Sequence, residues 1–263
     1  MRKYALLALL ALPLAAQGPM MAPPQLDGLV QRIALYPDSL LAQVLTGSTY
    51  WDQIPEAAGW ADQHSYLQGP ALAQAIDADR LPWDPSVLAL LPFPSVLDLM
   101  AQDPGWTQSL GTAVLNQRPE VMDAVQRQRH LAMDYGYLQN NAYYRVIGGP
   151  YIQIVPVDPA FVVVPRYNPV VVFARPRPGF AIGAAIGFGP RISIGAFIPF
   201  GWRSPALDWR SHAVVIDGRP WERGWANRQV YVHPYAAPVH RYEPRERRET
   251  HERRDHHDPH DRH

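Results

Sequence analysis

The chain has 263 residues, and its 24 basic and 24 acidic side chains leave a formal net charge of zero. Such a balance produces no long-range field toward nucleic acid, so we expect no nucleic-acid partner. No cysteine is present, which excludes disulfides, thiolate nucleophiles, thiolate metal sites and a lipid anchor on an N-terminal cysteine.

The N-terminus has the pattern of a secretory signal peptide. Arg2 and Lys3 precede an alanine- and leucine-rich run over residues 5–14, and small residues follow at Ala15 and Ala16. The run is shorter than the roughly 20 apolar residues that a membrane-spanning helix needs. We therefore expect residues 1–16 to be removed and the protein to be exported to the periplasm or out of the cell, with no transmembrane helix in the mature chain. A retained N-terminal anchor is the alternative.

A linker is expected over residues 17–24, followed by a helical domain over residues 25–138. Two sets of apolar residues have the spacing of one buried helix face, namely Leu26, Leu29, Val30 and Ile33, and then Leu40, Leu41, Val44 and Leu45. The pattern predicts a compact orthogonal bundle of roughly six short helices.

Proline positions support these helices. Asp84 and Asp103 each precede a proline, so that the aspartate can cap free backbone amides while the proline takes the first helical position, where its missing N–H costs nothing. Pro55, Pro94 and Pro119 can occupy the same first turn.

A β-rich region is expected over residues 143–235. Its β-branched and aromatic runs are bounded by proline, glycine and asparagine, which predicts strands at residues 152–155, 161–164, 170–173, 213–216 and 228–232. Proline at strand ends favours edge strands, and Asp217 with Gly218 predicts a hairpin turn. The fold class is therefore α+β, with a helical bundle followed by a small proline- and glycine-rich antiparallel β region.

An apolar, glycine-rich segment lies at residues 180–200. Gly179, Gly183 and Gly187 are spaced by four, as in closely packed membrane helices, but Pro190 and Arg191 divide the segment into halves too short to span a bilayer. We favour glycine-containing strands with tight bends. A hairpin that enters a membrane or grips a partner is the alternative.

Residues 239–263 are predicted to be a disordered tail, since they hold almost no apolar side chains. Seven arginines balance seven acids there, and six of the ten histidines of the chain are present. We expect weak, exchangeable binding of zinc, nickel or copper and no other cofactor; the candidate ligands are His256, His257, His260 and His263. Below about pH 6.5 the histidines would make the tail positive and allow peripheral contact with an anionic membrane. A purely solubilising tail is the alternative.

Four segments resemble a bacterial envelope family named only as domain of unknown function 3300. They are residues 26–61, 82–100, 103–129 and 159–172, so the similarity covers about residues 25–173. The resemblance implies an exported bacterial protein, often with a glycine-rich apolar stretch and a charged tail after the strands. This chain departs from that pattern in having a less glycine-rich stretch. The family has no established activity, and the resemblance assigns no role to any residue.

Catalytic motifs are mostly excluded. The chain has no G-x-S-x-G elbow and no phosphate-binding glycine loop, and His251 and His256 are five residues apart, whereas the zinc-protease motif places its histidines four apart. The closest acidic neighbours of the helical region are Asp52 with Glu56 and Asp77 with Asp79; we interpret them as solvated helix-end charges rather than glycosidase carboxylates. We expect surface or capping roles for His64 and His130.

Aromatic residues crowd the β-rich region. Four tryptophans there are candidates for contact with a partner or a glycan: Trp202, Trp209, Trp221 and Trp225. Because a small sheet needs bulky side chains for its core, burial is the alternative that we favour.

The leading hypothesis is a non-enzymatic interaction or scaffolding protein of the cell envelope, whose partner is an unidentified envelope protein or cell-wall component. One alternative is an envelope enzyme that acts on cell-wall glycan or peptide. Another is an accessory protein that responds to metal or pH through its histidine-rich tail.

Overall fold

The computed structural model describes residues 20–176 and 185–235. The expected signal peptide (1–16), residues 17–19 of the linker, residues 180–184 of the apolar segment and the expected tail (239–263) lie outside these ranges. The fold class is α+β, as expected. Seven helices come first in the chain: α1 (Pro23–Val30), α2 (Asp38–Ser48), α3 (Ile54–Gln63), α4 (Gly69–Asp79), α5 (Pro85–Leu88), α6 (Pro94–Gln102) and α7 (Pro104–Asp134).

The predicted helix starts at the two Asp-Pro pairs are confirmed. A side-chain oxygen of Asp84 accepts from the Ser86 amide at 2.9 Å, and Asp103 does the same for the Trp106 amide at 3.0 Å. Each bond satisfies an amide that has no partner within the helix. The first helix begins at Pro23, two residues before the expected start of the helical domain at residue 25.

Helix α7 is much longer than the short helices expected, and it bends. Gln117 leaves the helical conformation at φ −146° and ψ 49°, and Pro119 follows two residues later. Proline cannot donate to the preceding turn and its ring crowds that turn, so it interrupts the helix. Pro119 therefore begins the second half of a kinked helix, whereas Pro55 and Pro94 lie in the first turns of α3 and α6.

The second half of the chain forms three small antiparallel sheets, with strand orders β1-β2, β3-β4 and β5-β6-β7. The strands are β1 (Tyr144–Ile147), β2 (Gln153–Pro156), β3 (Phe161–Tyr167), β4 (Ile186–Ser193), β5 (Ala206–Asp208), β6 (Ala213–Ile216) and β7 (Arg219–Trp221). The hairpin predicted at Asp217 and Gly218 joins β6 to β7, and both residues have positive φ, as a tight turn of this kind requires.

Two predicted strands are wrong. Residues 170–173 belong mainly to a short helix, α8 (Pro169–Val172), because the side chain of Asn168 accepts from the Val170 amide at 2.9 Å and Pro169 takes the first position. Residues 228–232 form no strand, because the Arg228 carbonyl accepts from the guanidinium of Arg223 instead of from a neighbouring strand.

Prolines lie inside strands as well as at their ends. Strand β3 continues through Pro165, and its register with β4 shifts between Val163 and Pro165, which accommodates the missing donor. In the described part of the apolar segment, β4 agrees with the glycine-containing strand that we favoured, and a 3-10 helix follows at Gly195–Phe200.

Helices and strands share a large hydrophobic core, and a second, smaller one lies around Leu35, Ala132 and Ile152. Phe93, between α5 and α6, packs against Trp202 with ring centroids 4.9 Å apart, and the Trp202 indole donates to the Ala89 carbonyl at 2.8 Å. Across residues 20–176 and 185–235, no helix is both long and apolar enough to cross a membrane.

Candidate functional site

A groove of about 410 Å³ lies between the helical region and the β3-β4 sheet. The connection from α3 to α4 forms one wall, and the end of β4 forms the other. Its apolar lining includes Leu67, Leu72, Leu91, Phe161, Ile192, Phe197 and the four prolines Pro70, Pro92, Pro94 and Pro190. Its polar groups are His64, Ser65, Gln68, Arg191 and Ser193.

Three aromatic rings stack beside this groove. The rings of Trp60 and His64 lie 4.0 Å apart at an angle of 21°, and those of His64 and Tyr66 lie 6.2 Å apart at 24°. The Trp60 indole donates to Asp79 at 2.8 Å, and Nδ1 of His64 lies 2.9 Å from the Trp60 carbonyl. Tyr66 is 77% exposed, so the stack extends from the groove wall into solvent.

A cation lies at the other wall. Arg191 has its guanidinium carbon 4.2 Å from the Phe161 ring centroid, and its Nη2 lies 3.0 Å from a carboxylate oxygen of Asp158. Both charged side chains are about half exposed, at 53% and 48%. The positive charge on this wall is therefore partly neutralised within the protein.

A buried acid and histidine form a second polar centre elsewhere in the molecule. Nε2 of His233 lies 2.7 Å from Oδ1 of Asp84, and the two side chains are only 6% and 13% exposed. The same carboxylate oxygen accepts from the Ser86 amide and hydroxyl at 2.9 and 2.7 Å. This contact joins the chain just before α5 to the last described residues.

Three tyrosine rings surround the imidazole of His233. The ring centroids of Tyr50, Tyr231 and Tyr235 lie 6.2, 5.6 and 4.9 Å from it. Tyr231 and Tyr235 both meet it at 72°, in an edge-on arrangement. The guanidinium carbon of Arg223 lies 3.6 Å from the Tyr50 ring centroid and closes this side of the cluster.

Electrostatics fix the protonation states at the edge of this cluster. Burial alone would raise the pKa of Asp84, but the contact with His233 and the hydrogen bonds from Ser86 hold that pKa below its ordinary value. Burial, followed by the neighbouring Asp84 charge, raises the pKa of Tyr50 far above its ordinary value. At neutral pH Asp84 is therefore ionised and Tyr50 is neutral.

The two polar centres differ in what they can do chemically. Neither Asp84 nor His233 lines the groove, and both are enclosed by packed side chains. A general acid or base must reach the proton that it transfers, and here the surrounding rings occupy that space. The groove can bind a ligand, whereas the buried pair connects distant parts of the chain.

The four candidate tryptophans do not form an exposed surface to which a partner or a glycan could bind. Trp202, Trp209 and Trp221 are 1%, 3% and 1% exposed, so no partner or glycan reaches them. They fill the core beneath the small sheets, because strands this short supply little other bulk. Trp225 is half-buried and lies under the guanidinium of Arg228, 3.8 Å from ring centroid to guanidinium carbon.

The neighbouring acidic residues of the helical region do not converge on one site, because members of the two pairs contact different tryptophans. Asp79 accepts from Trp60, and a carboxylate oxygen of Glu56 lies 3.5 Å from the Trp83 indole nitrogen. His64 belongs to the aromatic stack, and His130 is half-buried on α7. Among the described residues, no three His, Asp or Glu side chains cluster as a metal site would require. The four candidate metal ligands of the tail lie outside the described ranges: His256, His257, His260 and His263.

Sequence reasoning missed the pairing of Asp84 with His233. It identified Asp84 as a helix cap, which is correct, but that role says nothing about a second partner far along the chain. No local motif connects the two residues. The alternation of Tyr231, His233 and Tyr235 was a usable signal, since it predicts that all three face the same side of an extended segment.

Comparison with known proteins agrees with the resemblance. A family model described as "Protein of unknown function (DUF3300)" matches residues 22–233. The Uncharacterized protein YacH of Escherichia coli (strain K12) is 36% identical over 184 residues, which cover 57% of this chain and 30% of that protein. The chain thus corresponds to less than a third of that relative's length. No solved structure matches the chain. Because the family model spans most of the sequence, the chain belongs to the DUF3300 family of proteins of unknown function.

Proposed function

We propose that this protein is an exported, non-enzymatic interaction or scaffolding protein of the bacterial cell envelope, and that its groove holds an extended apolar segment of a partner protein. The observation that carries the proposal is the lining of the groove. Apolar side chains and four prolines form most of its surface, and a few polar groups stand among them. Such a lining suits a peptide more closely than a strongly polar substrate.

The polar groups of the groove support an extended peptide as the occupant. Ser65, Gln68 and Ser193 can donate to or accept from the backbone of a bound chain. The apolar residues between them can accept alternate side chains of an extended segment, as in other peptide-binding grooves. Such an occupant would bury apolar surface while these side chains pair with part of its backbone.

The titratable groups of the groove support binding over catalysis. Arg191 is paired with Asp158, and His64 is stacked on Trp60 and lies near its carbonyl oxygen. An active site would instead direct several titratable groups toward one reacting atom. The buried pair of Asp84 and His233 stands apart from the groove lining.

Export belongs to the proposal and rests on the signal-peptide pattern of residues 1–16. The intact mass of protein recovered from the periplasm or medium tests it. The mass should correspond to a chain that begins at Gln17, and a mature chain that retains residues 5–14 would contradict export by cleavage.

Site-specific crosslinking in intact cells tests the groove. A photoreactive residue replaces Gln68 at the groove, and a matched variant carries it at Gln108, an exposed glutamine on α7 that is not part of the groove. We expect the Gln68 position to capture a discrete envelope protein that the Gln108 position does not capture. Mass spectrometry of the adduct then shows which peptide of the partner occupies the groove.

The second part of the crosslinking experiment introduces a charge into the groove. Leu67→Asp should abolish the adduct at the Gln68 position, whereas Val170→Asp puts the same charge on an 81% exposed residue outside the groove and should leave it intact. Identical adducts at both positions, or none at Gln68, would overturn the proposal. Capture of cell-wall glycan in place of protein would also overturn it and favour glycan binding.

A further inference from the structure

We propose that a cavity beside the end of α7 is a binding site for one neutral sugar ring. The cavity has a volume of about 220 Å³ and lies between the loop that follows α7, the β1-β2 sheet and the β3-β4 sheet. It shares no lining residue with the groove, which meets the β3-β4 sheet at its other end. A sugar bound here would be a second ligand, separate from the partner proposed for the groove.

The loop over residues 136–141 turns toward β1 at a glycine. Gly136 has φ 78°, and the amides of Tyr137 and Leu138 both donate to the Ala132 carbonyl, at 2.8 and 3.0 Å. Helices commonly end in this way, because a left-handed glycine lets the chain reverse while the last carbonyls keep partners. The residues that follow the glycine therefore run back to the start of the first strand.

Two asparagines of this loop are held in place by the backbone at β1. Oδ1 of Asn140 accepts from the Val146 amide at 2.7 Å. Oδ1 of Asn141 accepts from the amides of Tyr143 and Tyr144, at 2.8 and 2.9 Å. Because a backbone amide only donates, these contacts fix which side-chain atom is the oxygen and leave the NH₂ group of each asparagine for another partner. Both asparagines line the cavity, so their orientation is set before a ligand arrives.

The loop offers a ligand both donors and an acceptor. Among the described residues, the NH₂ group of Asn140 has no acceptor, and that of Asn141 lies 3.5 Å from the Gln139 carbonyl, at the limit of a hydrogen bond. The NH₂ group of Gln139 donates to the Gly136 carbonyl at 2.8 Å, which leaves its side-chain oxygen as an acceptor. A sugar hydroxyl both donates and accepts, so it can pair with either kind of group.

Aromatic rings form part of the cavity wall. The centroid of the Phe188 ring on β4 lies 6.2 Å from that of Tyr144 and 4.9 Å from that of Tyr143. Tyr144 is fixed, since its hydroxyl accepts from the Val163 amide at 2.8 Å, whereas Tyr143 is 37% exposed. The aromatic surface therefore reaches from the wall to solvent. The C–H groups on one face of a sugar ring are slightly positive, and the negative face of an aromatic ring attracts them.

The cavity carries no charge of its own. The thirteen described residues that line it include no Asp, Glu, Lys, Arg or His. Arg145 and Arg166 lie on the neighbouring strands, but both are exposed and stand outside the lining. Removing a charged ligand from water costs free energy that only a counter-charge repays. Phosphate, carboxylate and ammonium ligands therefore do not suit this site, and an uncharged polar ligand does.

The volume limits the ligand to about one ring. Pockets for drug-sized molecules measure about 300–1,000 Å³, and this cavity is smaller. A purely apolar ligand would leave the carboxamides of the loop without partners. A single sugar ring combines a small volume with hydroxyl groups around its edge and an apolar face, which matches the carboxamides and the aromatic wall together.

An NMR titration of the mature protein tests the site. Glucose, galactose and N-acetylglucosamine are each added up to about 50 mM, and the side-chain amide signals are followed. At least one sugar should shift the NH₂ signals of Asn140 and Asn141 with a Kd of about 1–10 mM, the range for a ligand of about twelve non-hydrogen atoms. The NH₂ signal of Asn168 should not move, because this residue caps α8 outside the cavity. Glucuronic acid adds a carboxylate to the same ring and should bind at least about tenfold more weakly.

Substitutions on neighbouring residues of β1 localise the binding. Val146→Phe puts a ring into the cavity that Val146 lines and should abolish the shifts. Ile147→Phe is the matched control, since successive strand side chains face opposite sides and Ile147 is 47% exposed; it should keep the wild-type Kd. Phe188→Leu keeps an apolar wall without its ring and should weaken binding by about three- to tenfold. Leu67→Asp, which disrupts the groove, should leave the sugar titration unchanged, so the two sites are tested separately.

Each contrary outcome is decisive. Unmoved Asn140 and Asn141 signals with all three sugars would overturn the site, and so would equal binding in Val146→Phe and Ile147→Phe. Glucuronic acid that binds as tightly as glucose would overturn the choice of a neutral ligand. Larger shifts with acetyl-alanine-methylamide, an uncharged peptide unit, than with any sugar would assign the cavity to a peptide instead. If Val146→Phe altered the backbone signals of the whole fold, Phe188→Leu would replace it, and an unchanged Kd in that variant would overturn the proposal.

Discussion

Arg129 of α7 donates from Nη1 to Oδ1 of Asp38 at a distance of 2.6 Å, and its side chain is fully buried. Its remaining hydrogen bonds reach three backbone carbonyls, those of Ala34, Tyr36 and Ile152. The other carboxylate oxygen of Asp38 accepts from the Trp209 indole at 2.9 Å. One buried charge pair thus connects two helices with the strand region.

Arg129→Met should lower the free energy of unfolding by about 3–5 kcal/mol, because it leaves the Asp38 carboxylate buried without its counter-charge. Urea denaturation at neutral pH measures the change. Arg127→Met is the matched control on the same helix, since Arg127 pairs with Asp27 in a partly exposed site and its loss should cost less than about 1 kcal/mol. Equal losses in the two variants would contradict a dominant role for the buried pair.

Gly111→Ala should destabilise the protein by about 1–3 kcal/mol or more. A Cβ at this position of α7 would lie 2.0 Å from the Ser48 carbonyl oxygen, so α2 and α7 would have to separate. Gly59→Ala is the opposite case, because a Cβ at this exposed position of α3 meets nothing within 4 Å. It should stabilise the protein by about 0.5–1 kcal/mol, the ordinary gain from alanine in a helix. Thermal unfolding of both variants checks the difference in sign.

Trp202→Ala should cost about 3–5 kcal/mol, since the residue is 1% exposed and its indole packs on Phe93. Trp225→Ala should cost much less, because this residue is only half-buried, at the start of the 3-10 helix Trp225–Asn227. Chemical denaturation of the two variants compares them directly. If Trp202→Ala were as mild as Trp225→Ala, the shared core would be less important than its burial indicates.

Asp84→Asn tests the pH dependence of stability. Asparagine can still cap α5, so the substitution removes mainly the charge. Because the folded-state pKa of Asp84 is lowered, its charge stabilises the fold above the pKa of the unfolded chain, and that contribution is lost as the pH falls through the folded-state pKa. The stability difference between wild type and variant should therefore be largest near neutral pH and shrink in acid. Urea titrations at a series of pH values measure it, and a difference that is constant into strong acid would exclude this assignment.

Residues 25–138 were expected to form a helical domain, and this division of the chain stays a prediction. The core that they share with Val162, Phe197 and Trp202 leads us to expect a fragment of these residues to be helical but to melt less cooperatively than residues 20–235. Circular dichroism during heating compares the two. A sharp, independent melt of the fragment would show that its own apolar faces are sufficient.

Local patterns account for most of the correct predictions. The spacing of Leu26, Leu29, Val30 and Ile33 and the Asp-Pro pairs depend on residues within one or two turns, so they indicate helices without knowledge of the rest of the fold. The same local rule, applied to Asn168 and Pro169, would have identified α8, but the run of valines that follows favoured a strand.

Neighbouring residues and composition were sufficient to predict the helical first half, the α+β class, the hairpin at Asp217 and the absence of thiol chemistry. Which side chains meet became known only from the folded chain. Asp38 with Arg129 and Asp84 with His233 are pairs distant in the chain, and the groove combines residues from helices and a sheet. Such contacts form only when folding buries apolar surface and thereby brings remote segments together, so no local periodicity encodes them.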